Sequence, residues 1–164
     1  MKKDMDEVYR EYAKGVYKYL LSLCHNGDTA EELTQETFYR AVKSIKNYDG
    51  SCKMFVWLCQ IAKHVWYKEL EKRKKHGCLI EEDFAADGVS VEENAVLAEE
   101  KMKMFKALHE LDERTRETVY LRLTGEFSFR EIGEILGMDE TCARVTFYRG
   151  KVKIREIIDK ERKI

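Results

Sequence analysis

Residues 128–156 read SFREIGEILGMDETCARVTFYRGKVKIRE, from Ser128 to Glu156. Ser128 followed by Glu131 is a capping box, in which the hydroxyl takes a first-turn N–H while the glutamate reaches back to the cap's own N–H. Phe129, Ile132, Ile135 and Leu136 then recur at helical spacing, and Gly137 supplies a left-handed residue to end the helix. Asp139 is placed to cap a second helix. In that helix Ala143, Phe147, Gly150 and Ile154 step by four, three and four residues onto one face. Thr141, Val145, Tyr148 and Val152 fall opposite, flanked by Arg144 and Arg149. A small apolar inner face with hydroxyl, aromatic and guanidinium groups outside is what a recognition helix in the major groove requires, because Arg can bond guanine edges or phosphates bidentately. An ordinary helical hairpin with a wet polar face is the plainer alternative.

Composition frames this unit. The chain has 164 residues, 44% hydrophobic and 37% charged, a globular balance with room for one or two small domains. It contains no proline, and sustained period-two alternation is scarce, so an all-α fold is expected. No apolar run is long enough to span a bilayer, and MKKDMDEVYR lacks the apolar core of a signal peptide, so no membrane insertion and a cytoplasmic location are expected. The five cysteines (24, 52, 59, 78 and 142) form no CxxC pair. Reduced thiols follow, with neither a zinc site nor any other cofactor expected.

The net charge of -1 hides a division. Residues 1–76 carry 15 Lys and Arg against 11 Asp and Glu; residues 77–98 carry none against six; residues 99–164 carry 15 against 14. The middle stretch GCLIEEDFAADGVSVEENAVLA, with two glycines and weak periodicity, reads as an acidic linker between two helical domains. Its charge would repel DNA or shield a basic surface. Arg144 to Lys163 holds eight basic and three acidic residues, and local charge is what a phosphate backbone feels.

The first half reads as three helices. Val8, Tyr9, Tyr12, Val16, Leu20 and Leu23 mark one, ending near Asn26-Gly27. Asp28 with Glu31 signals the start of another, along Leu33, Thr37, Phe38, Ala41, Val42 and Ile45. A turn-rich loop, Lys46 to Lys53, surrounds Asp49-Gly50. The third helix places Leu58, Ile61, Ala62 and Val65 inward and Gln60, Lys63, His64, Tyr67, Glu71 and Lys74 outward, with Trp57 and Trp66 toward the edges and KRKK at 72–75. Basic residues interleaved with aromatics suit single-stranded DNA, whose phosphates they neutralise and whose bases stack on their rings. Core aromatics beside a solvated charged face are the alternative.

ELTQETFYRAV at 32–42, NYDGSCKMFVWLCQIAKHVWYKELEKRKK at 47–75 and LDERTRETVYLRLTGEFSFREIGEILGM at 111–138, followed by the helix described above, together resemble the extracytoplasmic-function sigma factors of bacterial RNA polymerase. Only the linker lies outside the likeness. The family's L-x-Q-E-x-F core stands at Leu33 to Phe38, its W-L-x-x-I-A signature at Trp57 to Ala62, and its third signature at Arg116-Glu117, Leu121-Arg122 and Ser128 to Gly137. The resemblance implies a promoter-specificity subunit that is not an enzyme, with residues 1–76 as region 2, 77–98 as linker and 99–164 as region 4. Glu32, Gln35 and Glu36 match the segment that binds the clamp helices of core RNA polymerase. The loop with Asn47, Tyr48, Asp49, Ser51 and Lys53 matches the one that captures a flipped -10 base, and Trp57, Lys63, His64 and Tyr67 extend that surface along the melted strand. Arg144, Val145, Tyr148 and Arg149, with Thr141 and Lys151 beside them, match the readers of the duplex -35 element. An anti-sigma factor is an implied partner.

Departures from the family pattern are local. Lys63 and His64 stand where Arg and Asn are frequent, Met54 and Phe55 where Phe and Arg are common, Asp112 for a common Pro, Gly133 for Ala and Thr146 for Arg. Glu69 falls on the inward side of its helix with no evident partner. Two other classes compete. A stand-alone helix-turn-helix regulator would dimerise through its first half and bind palindromic duplex. An enzyme would need a Cys/His pair such as Cys24-His25 or Cys78-His76, but adjacent helical side chains diverge by about 100° and no orienting third residue is evident.

Overall fold

In α1 (Met5–Cys24) Val16 and Leu20 repeat at i, i+4 and are fully buried with Val8. Asp4 opens the helix by accepting the Asp6 N–H at 3.2 Å. The helix closes earlier than the expected Asn26-Gly27: His25 takes the left-handed conformation at φ 55° and returns its N–H to the Leu21 carbonyl at 2.9 Å. This frees Asn26 to cap α2 (Gly27–Ser44), its Oδ1 accepting the Thr29 N–H at 2.9 Å. The expected Asp28 cap is therefore corrected to Asn26. Asp28 instead sits in the first turn, where its charge meets the positive end of the helix dipole.

The computed structural model describes residues 4–77, 95–123 and 127–163. After α2 come a single 3-10 turn (Ile45–Asn47) and α3 (Met54–Lys75), then α4 (Ala95–Glu110), α5 (Glu113–Leu123), α6 (Phe129–Leu136) and α7 (Glu140–Arg162). The fold is all-α, with no strand among the described residues. Most of the acidic stretch 77–98 lies outside them, as does Cys78, while α4 takes its last residues from Ala95. The chain divides into two compact units, α1–α3 and α4–α7.

In the first unit each helix packs on both others. Having two neighbours makes α3 bury a wide arc, Met54, Val56, Leu58, Cys59, Ala62, Val65 and Trp66. Trp66, expected near an edge, is thus 3% exposed and part of the core. Ile61, expected inside, is only half-buried. On α2 the buried line is Leu33, Thr34, Thr37, Phe38 and Ala41. Thr34 and Thr37 are tolerated there because their hydroxyls donate to the Ala30 and Leu33 carbonyls at 2.6 and 2.7 Å. Val42, one residue beyond Ala41, is turned outward and 53% exposed, which corrects its expected inner position. Phe55, where the family commonly carries Arg, stacks on Tyr12 with ring centroids 5.7 Å apart and covers Gly15, whose missing side chain leaves the space.

In the second unit α7 packs against α4, α5 and α6. Its inner face buries Ala143, Phe147, Gly150 and Ile154, as the spacing predicts, against Ala107, Leu108, Leu111 and Val119. A Cβ at Gly150 would lie 2.5 Å from Val119 Cγ2 and 2.9 Å from Thr115 Cγ2, so only glycine permits this crossing. Asp112 caps α5 through the Thr115 N–H at 3.1 Å, doing the work of the usual proline.

Adding the methyl of Gly150→Ala should overpack the α5–α7 crossing and destabilise its unit by about 1–3 kcal/mol. Both tryptophans, Trp57 and Trp66, lie in the other unit. Denaturant unfolding followed by circular dichroism should shift to lower concentration while the tryptophan fluorescence transition stays in place; an unmoved circular dichroism curve would contradict the packing argument.

Candidate nucleic-acid and protein-binding interfaces

The geometry of α7 is set at its entrance. The capping box is complete: Ser128 Oγ accepts the Glu131 N–H at 3.2 Å and Glu131 Oε2 accepts the Ser128 N–H at 2.8 Å. Gly137 ends α6 at φ 71°, and Met138 donates to the Gly133 carbonyl at 3.0 Å, the long bond of a left-handed helix stop. A Cβ at Gly133 would collide with the Met138 carbonyl, so the small residue there serves the turn itself. Asp139 Oδ1 then accepts the Cys142 N–H at 2.6 Å and starts α7. Together these contacts fix the angle of α7 to α6, which determines what its outer face can reach.

That outer face carries Thr141, Arg144, Val145, Tyr148, Arg149, Lys151 and Val152, all exposed. Their surroundings differ. Arg149 makes no hydrogen bond or ion pair with a described residue. Arg144 Nη2 pairs with Glu140 Oε1 at 3.0 Å, and its guanidinium lies 5.4 Å from the centre of the Phe129 ring. The same ring takes Arg122 at 4.5 Å and meets Phe147 and Tyr148 at 5.6 and 6.3 Å. Arg122 also donates to the Phe127 carbonyl at 2.9 Å. Lys151 Nζ hangs over Phe147 and Tyr148 at 5.7 and 5.9 Å. Phe129 reads in the sequence as one more core residue at helical spacing, yet it is the hub of this cationic and aromatic cluster. Its link to Arg122 joins two helices and has no local sequence signal.

In the first unit the loop after α2 is internally braced. Tyr48 donates its hydroxyl to the Cys52 carbonyl at 2.6 Å, and its ring lies 5.1 Å from Trp57. Asp49 Oδ1 accepts the Ser51 N–H at 2.9 Å, and Gly50 adopts φ 77°. Hydrogen bonds from Ser51, side chain first and backbone second, hold the Asp49 carboxyl below its ordinary value. Asn47, Asp49, Ser51 and Lys53 are exposed while Tyr48 and Trp57 are half-buried, so the loop has a shape of its own with polar groups outward. On α3, His64 is exposed and Lys63 lies 5.5 Å over the Tyr67 ring.

On α2, Glu32 and Gln35 are exposed, and Glu36 accepts from Arg40 Nε at 2.7 Å. Tyr39 continues the face at 57% exposed, with Lys43 over its ring at 4.2 Å. The partner of Glu69 is Arg73, which donates at 2.8 Å and also reaches Thr29 Oγ1 at 3.2 Å. One residue of the KRKK run therefore ties the end of α3 to the start of α2. Burial pushes the Cys24 thiol up, the wrong direction for a nucleophile, and its Sγ sits 3.3 Å from the Asn26 carbonyl. No group of His, Cys, Asp and Glu suited to a metal ion occurs among the described residues, and no helix among them is long and apolar enough to cross a membrane.

Each unit coincides with a known family model: residues 8–76 match Sigma-70 region 2, and residues 101–154 match Sigma-70, region 4. These two matches define a sigma subunit, the component that directs bacterial RNA polymerase to promoters. More narrowly, the chain belongs to the extracytoplasmic-function sigma factors. It is 30% identical to the ECF RNA polymerase sigma factor SigM of Bacillus subtilis, over 95% of this chain and 96% of that one. It is 25% identical to RNA polymerase sigma factor YlaC of the same organism, over 96% and 94%. Among solved structures, the sigma factor RpoE of Bartonella quintana, in complex with the anti-sigma factor NepR, has the same fold at TM-score 0.79 and 21% identity, over 96% of this chain and 98% of that one.

Proposed function

We infer that this sigma subunit holds its promoter in two places by two different kinds of physics, with residues 1–76 at the -10 element, 99–164 at the -35 element and 77–98 connecting them. The observation that carries this reading is the two-faced α7, small and apolar inside and cationic and aromatic outside. In this reading Thr141, Arg144, Val145, Tyr148, Arg149 and Lys151 meet closed duplex, the guanidiniums at base edges or phosphates. Asn47, Asp49, Ser51 and Lys53 receive an unstacked -10 base, an extrusion costing a few kcal/mol and so selective for easily melted sequence. Tyr48 and Trp57 hold that loop in shape, and Lys63, His64 and Tyr67 track the separated strand. Glu32, Gln35 and Glu36 meet core RNA polymerase. The protein performs no chemistry of its own and works in the cytoplasm beside the polymerase. The match of residues 8–76 to region 2 favours this over a stand-alone regulator that dimerises through α1–α3.

Replacing Gln35 and Glu36 together by Ala should abolish core polymerase binding in a pull-down while the circular dichroism spectrum is unchanged. The lost Glu36–Arg40 pair, exposed and on one helix, is worth only about 0.3–0.5 kcal/mol. Undiminished binding would remove the role assigned to α2.

Arg149→Ala should weaken closed-promoter binding by about 1–3 kcal/mol where a bidentate base contact is lost. His64→Ala should bind closed promoter normally yet open it poorly, and a template with a pre-melted -10 bubble should rescue it but not Arg149→Ala. Permanganate reactivity of -10 thymines beside a binding assay reports both steps. Equal loss of closed binding with no rescue of either variant would favour a single duplex-reading unit.

A free subunit with both promoter-binding surfaces exposed needs silencing, and the Bartonella relative is described with an anti-sigma factor bound. We infer a protein inhibitor of that kind, encoded beside this chain. Co-expression should co-purify the pair and repress transcription in vitro; failure of every neighbouring product to do either would count against it.

A further inference from the structure

Arg144 differs from Arg149 in being held before any DNA arrives. Its guanidinium is fixed from one side by the Glu140 carboxylate at 3.0 Å and from another by the Phe129 ring at 5.4 Å, which Arg122 also occupies at 4.5 Å. Both members of the pair are about half exposed, with side-chain exposures of 48% for Arg144 and 53% for Glu140. An exposed pair one helical turn apart contributes little to stability, and the first-turn position of Glu140 adds only the modest favourable interaction of a carboxylate with the helix dipole. Near phosphates this carboxylate is unfavourable, since it cancels a charge the backbone would otherwise feel.

It does have a use in reading sequence. A guanidinium presents five N–H donors in a rigid fork, and pairing with one carboxylate leaves others free. The carboxylate keeps acceptor capacity for the exocyclic amine of cytosine, while the fork suits guanine. Resting over Phe129 and against Glu140, Arg144 also loses less side-chain freedom on binding than an unrestrained arginine would.

We propose that Glu140 and Arg144 act as one recognition unit, in which Glu140 positions Arg144 for base edges and denies it to the phosphate backbone, making Glu140 a specificity-determining residue of the -35 interaction. The proposal rests on α7 being the -35 reader. Glu140 lowers affinity for arbitrary duplex and raises discrimination, so its removal should strengthen binding while blurring its sequence preference. A carboxylate serving only as a first-turn helix residue would, on removal, strengthen binding to any duplex and leave the sequence preference unchanged.

The test uses the full chain bound to core RNA polymerase, selecting from a pool of random-sequence duplexes, with binding to a scrambled duplex measured at about 50 and about 200 mM salt. Glu140→Gln keeps the size and removes the charge. It should add about one to the salt slope, so that scrambled-duplex binding strengthens about 3.5-fold more than wild type over this fourfold change in salt. The selected pool should lose preference at the positions that Arg144→Ala also blurs, and the double variant should be no more blurred than Arg144→Ala alone. If Glu140→Gln leaves the selected sequences as in wild type, whatever its slope, while Arg144→Ala alters them, the paired unit is wrong and Arg144 reads alone. If Arg144→Ala and Arg149→Ala both leave the selected sequences unchanged, the assignment of α7 to the -35 element fails, and the proposal with it.

Discussion

The close approach of α7 to its neighbours governs what this protein can do with DNA. A helix can offer one face to a groove only if its other face is seated firmly, and α7 achieves this with small residues where the backbones come nearest. Gly150 admits Val119 and Thr115 of α5, and Gly133 admits the carbonyl of the turn before α7. With those two contacts made, Phe147 and Ile154 fill the remaining space and the outward residues are fixed in register. Interiors as dense as crystals do not accommodate an extra methyl without moving something, so the orientation of Arg144, Tyr148 and Arg149 follows from two missing side chains elsewhere.

The first unit uses glycine chiefly at Gly15, which makes room for Phe55 between α1 and α3. There α3 is buried across a wide arc by two neighbours, and what remains outside is a narrow line including Lys63, His64 and Tyr67. Polar groups that must enter the core are satisfied locally, as Thr34 and Thr37 are by carbonyls of their own helix. The loop that follows α2 gets its shape from the Tyr48 hydroxyl and the Asp49 carboxylate. It is thus organised in advance, which would lower the ordering cost of the base capture proposed for it.

Charge acts locally throughout. A net charge of -1 conceals a second unit whose final helix is basic and a stretch, 77–98, without a single cation. Several cations on the surface are also already engaged: Arg40 with Glu36, Arg73 with Glu69 and Thr29, Arg144 with Glu140. Each such pair is weak in water, so it does little for stability, yet it decides which cations are free to meet phosphate and which must first exchange a partner.

Much of this was legible in the chain because it depends on neighbours in sequence. The capping box at Ser128 and Glu131, the left-handed stop at Gly137, the Asp139 and Asp112 caps and the four-three-four step of Ala143, Phe147, Gly150 and Ile154 are one-turn relationships, and each stands where the spacing puts it. Where two local signals competed, packing chose: Asn26 caps α2 although Asp28 and Glu31 form the stronger pattern, because His25 ends α1 two residues sooner than a stop at Gly27 would. Contacts between distant residues had no such signature. Trp66 became core because α3 has two neighbours, Arg73, one turn from its partner Glu69, also reached Thr29 on another helix, and Phe129 collected guanidiniums from α5 and α7. The sequence by itself determined the helices, their ends and the two faces of α7, since hydrogen-bonded turns and 3.6-residue periodicity act over a few residues. Only the tertiary structure decided the contacts that join one helix to another, Arg73 with Thr29 and Arg122 and Arg144 with Phe129, because those side chains are distant in sequence or meet only once the helices pack.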